Sequence, residues 1–192
     1  MIIFQNIDES VLKENHKNSE LLKININSDL VVSGIEKSLE ILKNEDNSKN
    51  SMLIPKIILH LDYDDIDILM HYLGLLHNYQ NLYKNINFIF LFNESLAFKL
   101  EKGMNVIYFS DLLFTKKGIG LLPINNKSSI STKGLKWDIS IIRFLNLACW
   151  DTEFGKKVST SNEFLENNSS IYLHEGEIIF VAEIDYNTIN II

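Results

Sequence analysis

Cysteine, proline and glycine are scarce: one Cys, two Pro and eight Gly in 192 residues. A lone Cys149 excludes an intramolecular disulfide and fits a reducing compartment. It lies in an apolar run, which reads as a buried thiol rather than a nucleophile. So few prolines and glycines argue against a long disordered linker. No apolar run approaches the roughly 20 residues of a membrane span. Met1–Asn6 lacks the basic start and apolar core of a secretory signal, so a cytoplasmic protein with no membrane partner is expected. Basic charge is also in deficit, with net charge −7 and an isoelectric point near 5.2. That balance argues against nucleic acid as a partner, and an anionic nucleotide would need a local basic group or a metal ion.

What is present is apolar patterning. Hydrophobic residues make up 46% of the chain and charged ones 22%, enough for one or two domains with real cores. Ser33–Lys43 carries Ile35, Leu39 and Leu42 at helical spacing, and Asn44–Ser51 reads as a polar loop. Lys56–Leu61 and Asn87–Phe92 are apolar runs of strand length. Between them, Asp65–Tyr83 puts Ile66, Leu69, Leu73 and Leu76 on one helical stripe. Strand, helix, strand in that order predicts a parallel βαβ crossover.

The rhythm changes near residue 95. Leu96–Leu100 and Asn105–Phe109 flank Gly103 and predict a hairpin. Short strand-like pieces recur at Ile119–Ile124, Ser129–Lys133, Ile139–Leu145, Ser169–Leu173 and Glu177–Ile184, with His174–Gly176 expected to turn the last pair. The fold class expected is α/β followed by all-β. A partial Rossmann-like α/β domain over residues 1–95 precedes an antiparallel β-sandwich domain over 96–192.

Several polar groups invite chemical readings. Asp62, Asp64, Asp65 and Asp67 form the densest carboxylate cluster. They suit either Mg²⁺ or the N-terminal charge preference of the helix they precede, the latter being the commoner cause. The spacing is not that of an EF-hand, since Leu73 stands at the twelfth position. His60 reads as a packed strand histidine, His71 and His77 do not share a helix face, and His174 reads as a solvated turn residue. Lys156 and Lys157 read as surface charges, and Trp150 as core or interface. Trp137 together with Ser159, Thr160, Ser161 and Asn162 is suited to gripping a flat polar heterocycle. An indole supplies a stacking face, and hydroxyls and an amide read ring nitrogens.

The wording around these residues is specific. Gly120–Ile124 (GLLPI), Gly134–Asp138 (GLKWD), Phe154–Gly155 and Val158–Asn162 (VSTSN) occur in that order. This segment resembles the carboxy-terminal domain of eukaryotic-type thiamine pyrophosphokinases. The resemblance implies transfer of a diphosphate from ATP to thiamine, with Mg²⁺, by a homodimer in which thiamine sits between one subunit's β domain and the other's α/β domain. It places Trp137, Ser159, Ser161 and Asn162 at the thiamine-binding positions. One departure is length. Trp137 and Ser159 stand 22 residues apart, longer than the family's hairpin, owing to an apolar insertion at about Ile141–Asp151.

In the first half the resemblance is thinner. Ile57–Leu75 falls on a family loop rich in glycine with an arginine, of which only Asp67 persists as a catalytic-position residue. Ser33–Leu42 falls on a helix start where Lys37 and Leu39 match, and Asp29 matches a first aspartate. Val31 and Gly34 stand where two further aspartates belong. Phe4–Glu9 retains Asp8. The resemblance thus implies Asp67 and Lys37 in the catalytic cleft and Mg²⁺ on Asp8 and Asp29. The family's first strand is expected to fall upstream of Met1 and to be missing. Four carboxylates where the family has glycines would repel a triphosphate, each close pair by about 1 kcal/mol in water. A thiamine-binding or dimerising relative without catalysis is therefore the alternative reading.

Overall fold

The computed structural model describes residues 2–4, 21–23, 28–45, 56–61, 66–92, 95–108, 118–124, 128–139, 141–143, 146–148, 150–152, 159–165 and 168–183. The chain divides into two compact units, one running to Glu94 and the other spanning Ser95–Asp185.

The first unit contains strands β1 (Ile2–Phe4), β2 (Leu21–Lys23), β3 (Lys56–Leu61) and β4 (Asn87–Phe92), with helices α1 (Ser28–Glu45) and α2 (Ile66–Leu82). Its strands lie in the order β2-β1-β3-β4, and every pair is parallel. Helix α1 begins five residues before the expected Ser33, because Val31 extends the apolar stripe one turn back. Val31, Ile35 and Leu39 are all buried at i, i+4 spacing. Ser38 sits on the same face and donates its hydroxyl to the Gly34 carbonyl at 2.8 Å, so its burial leaves no unmet donor.

Helix α2 buries Tyr72, Leu73 and Leu76, with Leu69 half-buried, as the stripe predicts. Tyr72 meets Phe90 and Phe92 at ring separations near 6.5 Å, and Tyr79 meets Phe88 at 5.8 Å. At the end of the helix Gln80 is buried and bonded on both sides. It donates to the Ile86 carbonyl at 2.9 Å and accepts the Phe88 N–H at 3.1 Å, which fixes the entry into β4. Burial, with Glu36 and Tyr83 nearby, raises the pKa of the Tyr79 phenol.

Among the described residues the second unit contains strands and no helix. Strands β5 (Ser95–Lys99), β7 (Gly118–Pro123), β12 (Ser159–Glu163) and β14 (Ile178–Glu183) pair antiparallel in the order β12-β7-β14-β5. Strands β6 (Gly103–Tyr108), β8 (Ser128–Lys133), β11 (Trp150–Thr152) and β13 (Asn168–Glu175) pair antiparallel as β11-β8-β13-β6. Alternate residues of both sheets enter one apolar cluster, including Ile119, Leu121, Phe180, Ile130, Ile171 and Leu173. Phe180 is fully buried against Phe98 and Phe164, worth about 1.5–3 kcal/mol relative to exposure.

Two expected hairpins do not form. Strand β5 pairs with β14 and β6 with β13, so the chain changes sheets at Gly103 instead of folding back. The same happens at the other end: β13 runs through His174 to Glu175, and Gly176 leads into β14 in the opposite sheet. Gly103 and Gly176 take φ of +101° and +84°, a left-handed conformation that a bend requires whichever sheet follows. The expected strand Ile139–Leu145 is replaced by a buried Ile139 followed by a small antiparallel hairpin of β9 (Ile141–Arg143) and β10 (Asn146–Ala148). Cys149 lies outside the described residues.

Candidate functional site

Residues 133–139 form a turn after β8 that presents Trp137. Gly134 opens it with φ of +89°, a value that disfavours any side chain. From there the chain runs antiparallel to residues 162–165. Lys136 donates its N–H to the Glu163 carbonyl at 2.8 Å, and Leu165 donates to the Gly134 carbonyl at 3.0 Å. Leu135 and Phe164 pair across this short ladder and are both buried. Ser169 adds a hydroxyl bond to the Gly134 carbonyl at 2.9 Å.

Two side chains brace the turn. The Asp138 carboxylate accepts the Thr132 hydroxyl at 3.0 Å and the N–H groups of Gly134 and Leu135 at 3.1 Å each. The Thr132 oxygen in turn accepts the Ile139 N–H at 2.8 Å. Asn162, 2% exposed, holds Trp137 by both edges of its peptide. It accepts the Trp137 N–H at 3.1 Å and donates to the Trp137 carbonyl at 2.9 Å, while accepting the Glu163 N–H at 2.9 Å. The amide thus stands in for a strand backbone. The indole itself remains 55% exposed. A tightly held backbone with an open aromatic ring is a stacking platform, because little entropy remains to be lost when a flat ligand arrives.

A cation already lies over that ring. The Lys136 ammonium sits 4.7 Å from the indole centroid, and both Glu163 carboxylate oxygens accept from it at 2.9 and 3.0 Å.

Trp137 and Asn162, chosen from sequence, are brought together in direct contact. Ser159 and Ser161 share β12 with Asn162. Its pairing with β7 carries an irregularity there: Ser159 faces Leu121 and Asn162 faces Ile119, one residue more on β12 than on β7. The side chains of the two serines lie outside the described residues. Lys37 is exposed on α1. Asp29 lies in the first turn of α1 and Asp67 in that of α2, their side chains outside the described residues; Asp8, Asp62, Asp64 and Asp65 are outside them altogether. Val31 and Gly34, where the resemblance wants carboxylates, are buried in the first unit. Among the described residues no group of three or more His, Cys, Asp or Glu is placed to hold a metal. No described helix is long and apolar enough to cross a membrane.

His174 is not a solvated turn residue. It is half-buried on β13, with its Nε2 2.9 Å from the Ser131 hydroxyl and its ring 4.5 Å from that of Tyr172. Sequence reading passed over Thr132, Lys136 and Glu163. Thr132 and Asp138 are close enough in sequence to signal a braced turn, whereas Lys136 and Glu163 meet only through the fold. The brace yields a direct test. Gly134→Ala should lower unfolding stability by about 1–3 kcal/mol, the cost of a side chain at positive φ, read by denaturant melts.

Known proteins share this architecture. Residues 105–176 match the family described as thiamin pyrophosphokinase, vitamin B1 binding domain, a span covering β6 through the bend after β13. The matched span lies within the second unit. Thiamin pyrophosphokinase from Candida albicans superposes with a TM-score of 0.57 at 24% identity, covering 77% of this chain and 51% of that one. The yeast thiamin pyrophosphokinase gives 0.60 at 18% identity, covering 98% and 71%. A thiamin pyrophosphokinase family protein from Enterococcus faecalis gives 0.61 at 11%, covering 96% and 98%. At such identities the superpositions show the fold, and the chain spans about half the length of the Candida albicans protein. No curated protein matches by sequence. Residues 105–176 thus match the thiamin pyrophosphokinase vitamin B1 binding domain, and the chain shares the fold of solved thiamin pyrophosphokinases.

Proposed function

We propose that this chain recognises thiamine through Trp137 and strand β12, with Ser159, Ser161 and Asn162 as the hydrogen-bonding residues. The observation that carries this reading is the exposed indole on a backbone clamped by Asn162, within the span that matches the vitamin B1 binding domain. The thiamin pyrophosphokinase names of the similar structures support diphosphate transfer to thiamine as the reaction. On that reading ATP is the donor, Mg²⁺ its counter-ion, Lys37 and Asp67 line the cleft, Asp8 and Asp29 approach the metal, and the protein works in the cytoplasm as a homodimer. Its first domain, 1–95, is the Rossmann-like catalytic half and 96–192 the thiamine-binding sandwich.

A second reading, thiamine binding without transfer, is favoured by one observation. Val31 is 0% exposed in the core of the first unit, at a position where the resemblance requires a metal-binding aspartate. A valine there supplies no charge to offset a transferring phosphoryl group. Calorimetry with thiamine, followed by a diphosphate-transfer assay with Mg-ATP, separates the two. Saturable binding with turnover supports the full reaction, and binding without turnover leaves only recognition. Absence of binding removes both.

A further inference from the structure

From the position of its charge, we infer that Lys136 is a built-in stand-in for the cationic ring of the ligand, and that Glu163 is the counter-charge the ligand inherits when Lys136 leaves. This rests on thiamine recognition at Trp137 and goes further by assigning how the site selects charge. Thiamine carries a permanent positive charge on its thiazolium ring. The Lys136 ammonium stands 4.7 Å from the indole centroid, within the range where a cation is attracted by the ring's negative face. Its carboxylate partner is Glu163, bonded at 2.9 and 3.0 Å.

The backbone of Lys136 is fixed by its N–H bond to the Glu163 carbonyl at 2.8 Å, so only the side chain can leave the indole. Its exposed position makes that displacement easy, since the ion pair is 43% and 34% exposed at its two ends and solvent-screened. Two cations cannot share one indole face, because like charges near contact repel even in water. A thiazolium stacking there must expel the ammonium. Expulsion uncovers Glu163 beside the incoming charge, and the indole, carboxylate and cation regain the arrangement they had with Lys136. A neutral ring would displace the same lysine with no such return. Lys136 and Glu163 thus act as specificity-determining residues for a cationic ligand.

The test is thiamine titration calorimetry on the intact chain, comparing wild type with Lys136→Ala and with Lys136→Ala/Glu163→Gln at low and high salt. Removing the competitor should tighten binding about three- to tenfold at low salt. The gain should shrink as salt rises, because Glu163 then faces the thiazolium alone and is screened. The double variant should lose most of the gain. If wild type binds thiamine and Lys136→Ala binds equally or more weakly, the inference is overturned while thiamine recognition stands. A gain that persists in the double variant overturns the role of Glu163. If no protein binds thiamine, the inference falls together with the proposed function.

Discussion

Replacing Trp137 by alanine should abolish most thiamine affinity while leaving the fold intact. Stacking of a heterocycle on an aromatic side chain is worth about 1–3 kcal/mol, and a cation adds to it, so binding should weaken about 10- to 100-fold. Stability should barely change, because the indole is 55% exposed and its backbone bonds to Asn162 use atoms that alanine retains. The two effects separate a ligand role from a packing role. A core tryptophan truncated to alanine would cost about 3–5 kcal/mol of stability instead. Titration calorimetry and a thermal melt on the same sample read both. Trp137→Phe should recover part of the affinity, since a smaller aromatic face remains.

Asn162→Ala should do the opposite in stability and the same in binding. Its side chain makes three hydrogen bonds from a buried position, and alanine would leave the Trp137 peptide unmet on both edges. Each unsatisfied group costs about 1–3 kcal/mol, though water entering beside the exposed turn recovers part of it. A net loss of about 2–3 kcal/mol is expected, read as a melting temperature lower by about 10–20 °C for a domain of this size. Thiamine affinity should fall with it, because the turn that presents the indole is no longer held. Asn162→Asp separates the contributions: it keeps the acceptor for two N–H groups, loses the donor, and buries a charge. Stability between wild type and Asn162→Ala would fit a clamp. Full stability in either variant would mean that Asn162 serves the ligand and not the turn.

These outcomes rest on features that differed in how well they could be read from sequence. The two long helices were legible because three or four apolar residues recur on one face, and burial of Ile35, Leu39, Leu73 and Leu76 follows. The start of α1 was misplaced because Leu30–Ser33 lacks a strong breaker and Val31 belongs to the same stripe. Strands β1 and β2 are three residues each and carry too little pattern to register. Among the later strands, β5 to β8, β13 and β14 were legible in position but not in partner, whereas β11 and β12 were not anticipated and Ile139–Leu145 was read as one strand where a hairpin stands. A glycine at positive φ looks the same whether the next strand returns beside its predecessor or crosses to another sheet. The bends at Gly103 and Gly176 both cross.

The site divides in the same way. Trp137 and Asn162 stood out because they lie in motifs whose wording is shared with a family. Their relation did not, since an amide that holds a backbone and an amide that reads a ligand are written with the same letter. Asp138 illustrates the local case, bonding to N–H groups three and four residues before it. Glu163 illustrates the distant case, meeting Lys136 only because β12 continues alongside the turn.

The central claim is that thiamine lies on the indole of Trp137, and proton NMR of thiamine titrated with the intact chain tests it most directly. A ring stacked on an indole sits in its shielding cone. Upfield shifts of thiamine ring protons that saturate with protein and vanish in Trp137→Ala are expected. Shifts that persist in Trp137→Ala, or that are lost only when Trp150 is replaced, would contradict it.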